Sequence, residues 1–154
     1  MRLIIPSLNI NIPVFFGKNG TERQDIIDAQ DSAVYFKWGQ LTVIADHSSQ
    51  ANFKNLNEVA SENTIGYICG DTTKKYVCDK TEIGHILIGS GNRLYNSLWE
   101  PVHEVYNSGV CIYTCIKRRG SNIMDVRLTH WNETSDKPEQ EKTQNNDDEG
   151  VVSV

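Results

Sequence analysis

This chain of 154 residues has no apolar run long enough to cross a bilayer as a helix, no glycine-rich phosphate loop, no heptad pattern and no internal repeat. Cysteine is sparse, at positions 69, 78, 111 and 115, and no two of the four are spaced Cys-x-x-Cys. The four histidines, at 47, 85, 103 and 130, are scattered. A structural zinc site is therefore not expected, nor any other metal or cofactor. The cysteines could make up to two disulfides or a mixture of paired and free thiols. Positive charge is not in excess either: the net charge is −5, and it is uneven. From Glu133 onward there are seven acids and two lysines, whereas the remaining 13 acids and 13 bases cancel. Neither nucleic acid nor an anionic membrane is suggested by that balance.

The length suits one domain with a proper core. It is expected to span residues 1–131, followed by an acidic disordered tail over 132–154, where apolar residues almost vanish until Val151. No signal peptide or transmembrane segment precedes the strand-like opening Met1-Arg2-Leu3-Ile4-Ile5-Pro6. Either the chain is unanchored or a leading segment is absent from this sequence.

What is present is mostly strand. Leu3 to Ile5 and Ile10 to Phe16 are short β-prone runs, and Pro13 predicts an edge or a bulge for the second. Thr21-Glu22-Arg23-Gln24 fits a capping box, so a short helix is expected up to Ala29 or Gln30. Ala33 to Trp38 and Leu41 to Ala45 read as strands around a turn at Gly39, and the second delivers Asp46-His47 at its end. Phe53, Leu56 and Val59 give one apolar side of a helical turn. Thr64 to Cys69 and Lys74 to Cys78 predict a hairpin across Gly70-Asp71. From Thr81 to Ser108 the pattern is irregular. Leu94 with Leu98 and Tyr95 with Trp99 are spaced i, i+4 there, which predicts a short helix ending before Pro101.

The chain is organised around Cys111-Ile112-Tyr113-Thr114-Cys115 and Asn122-Ile123-Met124-Asp125-Val126-Arg127-Leu128, two strands joined by a basic turn. If Cys115 stands directly opposite Arg127, with Ser121 at the centre of the loop, the two side chains share a face roughly 5 Å apart. A slip of one residue would send them to opposite faces. Arg118 and Arg119 are read as solvated turn residues, and His85, His103 and His130 as structural or exposed. Cys69 and Cys78 are read as core thiols or a disulfide.

Taken together, these landmarks resemble the sortases, bacterial cysteine transpeptidases. Ile5-Pro6-Ser7-Leu8-Asn9-Ile10 with Pro13-Val14 is similar to that family's opening strand pair. Val43-Ile44-Ala45-Asp46-His47 is similar to its histidine strand, Tyr113-Thr114-Cys115 to its Thr-Cys strand, and Arg127 to its downstream arginine. The resemblance covers roughly Leu3 to Trp131. It implies a mainly β fold, a closed eight-stranded barrel with a few short helices. Two positions depart from the pattern. Asp46 stands where a glycine is usual, so a carboxylate there is expected to crowd the site or bias the imidazole toward its charged form. Cys111 stands where threonine is frequent.

The resemblance also implies an activity. Cys115 would attack a backbone carbonyl of a short sorting motif, often of the Leu-Pro-x-Thr-Gly type, and form a thioester that an amine resolves. His47 would serve as general acid and base, and Arg127 would hold the substrate carbonyl and the developing oxyanion. Ala45 and Thr114 would help shape the substrate site. The implied partners are a sorting-motif peptide of a surface protein and an amine from a cell-wall precursor or a protein lysine, and the implied location is the bacterial cell surface. Two other readings stand beside it: a thiol peptidase whose thioester is resolved by water, and a non-catalytic β-barrel that binds extended peptides.

Overall fold

The computed structural model describes residues 1–17, 25, 28, 32–89, 93–134 and, in the tail, 147–148 and 151–152. The helix expected after Thr21 and most of the acidic tail lie outside the described residues. Within the tail, β10 (Asp147–Asp148) and β11 (Val151–Val152) pair with each other.

Nine strands form one sheet: β1 (Arg2–Ile5), β2 (Ile10–Phe16), β3 (Ala33–Trp38), β4 (Leu41–Asp46), β5 (Ile65–Cys69), β6 (Thr73–Leu87), β7 (Arg93–Tyr95), β8 (Val110–Arg119) and β9 (Ile123–Glu133). Their order is β5-β1-β2-β3-β4-β8-β9-β6-β7, and β5 also pairs with β6. That last pairing shuts eight strands into a ring, with β7 attached outside it to β6. The expected mainly β architecture, a closed eight-stranded barrel with few short helices, is what the chain adopts.

Alternation along the strands divides the apolar residues into two layers. Leu3, Ile12, Ala33, Ile44, Ile112, Trp131 and Cys78 belong to one cluster, drawn from every strand of the ring but β5, with Tyr35, Ile68 of β5 and Tyr76 packed against it. This is the barrel interior. A short 3-10 turn, Phe53–Glu58, caps one end of it by inserting the fully buried Phe53 and Leu56. Val34, Phe36, Val43, Ala45, Cys111, Tyr113, Val126 and Leu128 form a second cluster on the outside of β3, β4, β8 and β9. Leu94 of β7 and Val102 of α1 (Val102–Val105) cover it.

Three local expectations need correction. Pro13 does not mark an edge: β2 has a neighbour on both sides, pairing with β1 over residues 10–13 and with β3 from Val14 onward. Pro13 lies at the changeover, where a missing N–H disturbs neither ladder. The segment after Thr81 is not irregular at its start, because β6 runs on to Leu87 along β9. The helix expected before Pro101 is absent, since Arg93–Tyr95 is a strand. The i, i+4 pairs there reflect a tight turn in which Asn96 Oδ1 accepts the backbone N–H groups of Leu98 (3.0 Å) and Glu100 (2.8 Å). An asparagine side chain offers the backbone that alternative to helix. The helical turn begins only after Pro101, whose fixed φ suits a helix start.

Candidate active site

β4 and β8 run parallel and in register, from Thr42 beside Val110 to Asp46 beside Thr114. In such a ladder, neighbouring residues face the same side. Ile44 and Ile112 both point into the barrel, and Ala45 and Tyr113 both belong to the outer layer. One step beyond the last rung, His47 follows Asp46 where β4 ends, and Cys115 follows Thr114 within β8, so the two residues lie on adjoining stretches of chain. Thr114 Oγ1 donates to the Asp46 carbonyl at 2.8 Å and ties the strands together at that point.

His47 is half-buried. Its Nε2 lies 2.7 Å from Asp28 Oδ1, and its backbone N–H donates to Asp46 Oδ1 at 2.8 Å. The Asp46 side chain therefore serves the turn that presents His47, and Asp46 itself is buried.

Arg127 is placed differently from the expectation. The hairpin closes with Arg119 opposite Ile123, as the turn residues predict, but a bulge at Ile116 shifts the register before Cys115 is reached. Thr114, not Cys115, stands opposite Arg127, and Cys115 stands opposite Val126. A bulge inserts one unpaired residue into one strand and re-aims its neighbours. The guanidinium donates to Asn57 Oδ1 and Thr81 Oγ1, both at 3.3 Å, and these are neutral partners beside the capping turn. Ala45 and Thr114, expected to shape a substrate site, are both fully buried. They act as the floor that holds β4 to β8.

All four cysteines are thiols, and none is in a disulfide. Burial is the main cause that pushes the Cys78 thiol up to about 11 and the Cys111 thiol well above the ordinary thiol range, with the Asp79 carboxylate adding to both. Such thiols stay protonated and inert at neutral pH. Cys115 and Cys69 are only partly buried. Iodoacetamide at neutral pH is therefore expected to label Cys115 and Cys69 in the folded protein and to spare Cys78 and Cys111 until denaturant is added. Peptide mapping of the labelled protein checks this, and early labelling of Cys111 would contradict it.

The remaining histidines are structural or exposed. His130 is buried, with Nδ1 2.7 Å from Asp79 Oδ1 and Nε2 2.8 Å from the Ser108 carbonyl, and it stacks on Tyr106. His85 is buried against Asp125 at 2.9 Å and stacks on Trp99, while His103 is exposed. Arg119 is not simply solvated, since its Nη2 reaches Asp125 Oδ2 at 2.6 Å. That hydrogen bond, with the one from His85, holds the Asp125 carboxyl below its ordinary range despite burial. Among the described residues, no group of His, Cys, Asp or Glu could hold a metal ion, and no helix is long and apolar enough to cross a membrane.

No protein-family model and no curated protein matches this sequence. Solved structures do. Over 92% of this chain and 73% of the other, it superposes on sortase A from Corynebacterium diphtheriae, in a lid mutant, with a TM-score of 0.58 at 18% identity. Sortase C-1 from Actinomyces oris gives 0.55 at 15% identity, over 86% of this chain and 73% of that one. Sortase C from Clostridium perfringens gives 0.52 at 13% identity, over 86% and 69%. The chain has the sortase fold.

Asp28, Asn57 and Thr81 were not foreseen as site residues. Each lies far from its partner in sequence, by 19, 70 and 46 residues respectively, and each is of a type common on any surface.

Proposed function

We propose that this protein is a cysteine transpeptidase of the sortase type. The observation that supports the reading is the parallel register of β4 and β8, in which His47 and Cys115 each follow a residue of the last shared rung, within a sortase fold. Cys115 is the nucleophile that attacks the carbonyl of a short sorting motif of the Leu-Pro-x-Thr-Gly kind. His47 takes the thiol proton and delivers it to the departing amine as the carbon–nitrogen bond breaks, leaving a thioester on Cys115. An incoming amine, from a cell-wall precursor or a protein lysine, then gives up its proton to His47 and displaces the thiolate. Such substrates would place the protein at a bacterial cell surface.

Arg127 stays in the reading as the holder of the substrate carbonyl, because a guanidinium is always charged and its donors form a fixed fork. The register starts it from the face of the sheet opposite to that of Cys115, so it has to reach round β9 to do so. Its two hydrogen-bond partners among the described residues, Asn57 and Thr81, are neutral side chains that cost little to release. The exposed Ile83 on β6, opposite Arg127, and Ile116 on β8, next to Cys115, offer apolar surface for the motif.

The test is intact-mass spectrometry of the protein and of Cys115→Ala after incubation with a pool of sorting-motif peptides. The expected result is an acyl adduct on the wild-type protein alone, released as a ligated product when an amine is added. Release only as the free acid, with amine present, would make the protein a thiol peptidase. No adduct from a broad pool on a folded protein would favour a barrel that binds peptides without cleaving them.

A further inference from the structure

His47 is held by a carboxylate from the connection between β2 and β3. Asp28 Oδ1 lies 2.7 Å from Nε2, and the Asp28 backbone carbonyl accepts Gln50 Nε2 at 3.3 Å. Asp28 is thereby tied at two points to the segment that starts at His47. An ionised carboxylate only accepts hydrogen bonds, so the ring nitrogen facing it carries the hydrogen. In a neutral imidazole this fixes the Nε2–H tautomer and leaves Nδ1 as the basic atom.

We propose that Asp28 is the positioning residue of His47: it orients the ring and keeps a proton on Nε2, so that Nδ1 is the atom that exchanges protons at Cys115. This rests on the reading of Cys115 and His47 given above. In acylation the thiol proton moves to Nδ1 as sulfur bonds to the carbonyl carbon. The same proton then passes from Nδ1 to the leaving nitrogen as the carbon–nitrogen bond breaks. Asp28 stays ionised and keeps its hydrogen bond throughout, and no oxidant or further reactant enters. Among the described residues, the charged and titratable groups that the contacts and register place near His47 are Asp28, Asp46 on β4, Cys115 on β8 and, across the next ladder, Arg127 on β9.

The experiment compares wild type, Asp28→Ala and Asp28→Asn by the ring ¹⁵N shifts of His47 and by acylation rate, with thermal unfolding as the control for folding. Asp28 is exposed, so both variants are expected to fold. The neutral ring should be Nε2–H in the wild type and a mixture of tautomers in Asp28→Ala. Acylation by Asp28→Ala should fall by at least about tenfold in kcat with little change in KM. Asp28→Asn, whose Oδ1 can still accept, should recover part of the loss. An unchanged tautomer in Asp28→Ala, or acylation at the wild-type rate, overturns the proposal. If the wild type acylates no peptide, the tautomer decides alone. Loss of Nε2–H in Asp28→Ala then upholds the pairing while the transpeptidase reading fails, and no change sinks the pairing as well.

Discussion

His47→Ala is expected to slow acyl-adduct formation by about 10²- to 10⁴-fold, the usual weight of a positioned general acid and base. The effect should fall on kcat, because the imidazole moves a proton while the bond is breaking and is not a main surface for binding the peptide. Stability should hardly change. The side chain is 36% exposed, and its ring contact is an exposed carboxylate, so alanine leaves no cavity in either apolar layer. Cys115→Ala should remove the adduct altogether, whereas His47→Ala should still form it slowly, since a few per cent of an ordinary thiol is thiolate at neutral pH. Single-turnover mass spectrometry separates the two. A His47→Ala protein that acylates within a few-fold of wild type would mean that another group handles the proton.

The largest effect on stability is expected at Gly109, not at any apolar residue of the site. Gly109 has φ +85°, in the left-handed region, and an added Cβ would stand 2.5 Å from the Trp131 carbonyl oxygen and 2.9 Å from His130 Nε2. Left-handed backbone costs a non-glycine residue about 1–2 kcal/mol. Overpacking adds roughly 1–3 kcal/mol, and here the nearest neighbour is a backbone oxygen in a strand that cannot move aside. Gly109→Ala should therefore lose about 2–5 kcal/mol in chemical denaturation. Gly39 makes the control: its φ is +62°, but no atom lies within 4 Å of an added Cβ, so Gly39→Ala should lose only the backbone part. Equal losses at the two positions would show that crowding at Gly109 is relieved in the native state.

Sequence reading works for the strands of this chain and stops at their register and at the connections between them. Leu41 to Ala45 and Cys111 to Tyr113 are packed on both faces, and such strands read as near-continuous apolar or β-branched runs, so the strands themselves were legible. The register of the β8–β9 hairpin was legible only near its turn, because Ile116, an apolar β-branched residue in a β-prone run, carries no mark of a bulge. One unmarked residue was enough to exchange Thr114 for Cys115 opposite Arg127. Asp28 was hidden for another reason. Its partner is chosen by how a connection folds over a strand end, and local pattern holds no record of that. At Leu94 to Trp99 helical spacing misled, because spacing of four is also what a turn capped by Asn96 produces.

The ring has a kinetic consequence. β4, which leads to His47, and β8, which carries Cys115, pair as parallel strands whose last rung joins Asp46 to Thr114, 68 residues apart, and β1 reaches β5 by pairing Arg2 with Cys69. Neither pairing can grow outward from a tight turn, so each must absorb the entropy of closing a long loop before any contact rewards it. Topologies of this sort fold on the order of milliseconds to seconds, not microseconds. The hairpins β3–β4 and β8–β9 can form early, each carrying half of the site. On the proposed reading, the nucleophile and its acid–base partner come together only when the slow closure is complete, so a half-folded chain would hold its cysteine apart from the group that activates it.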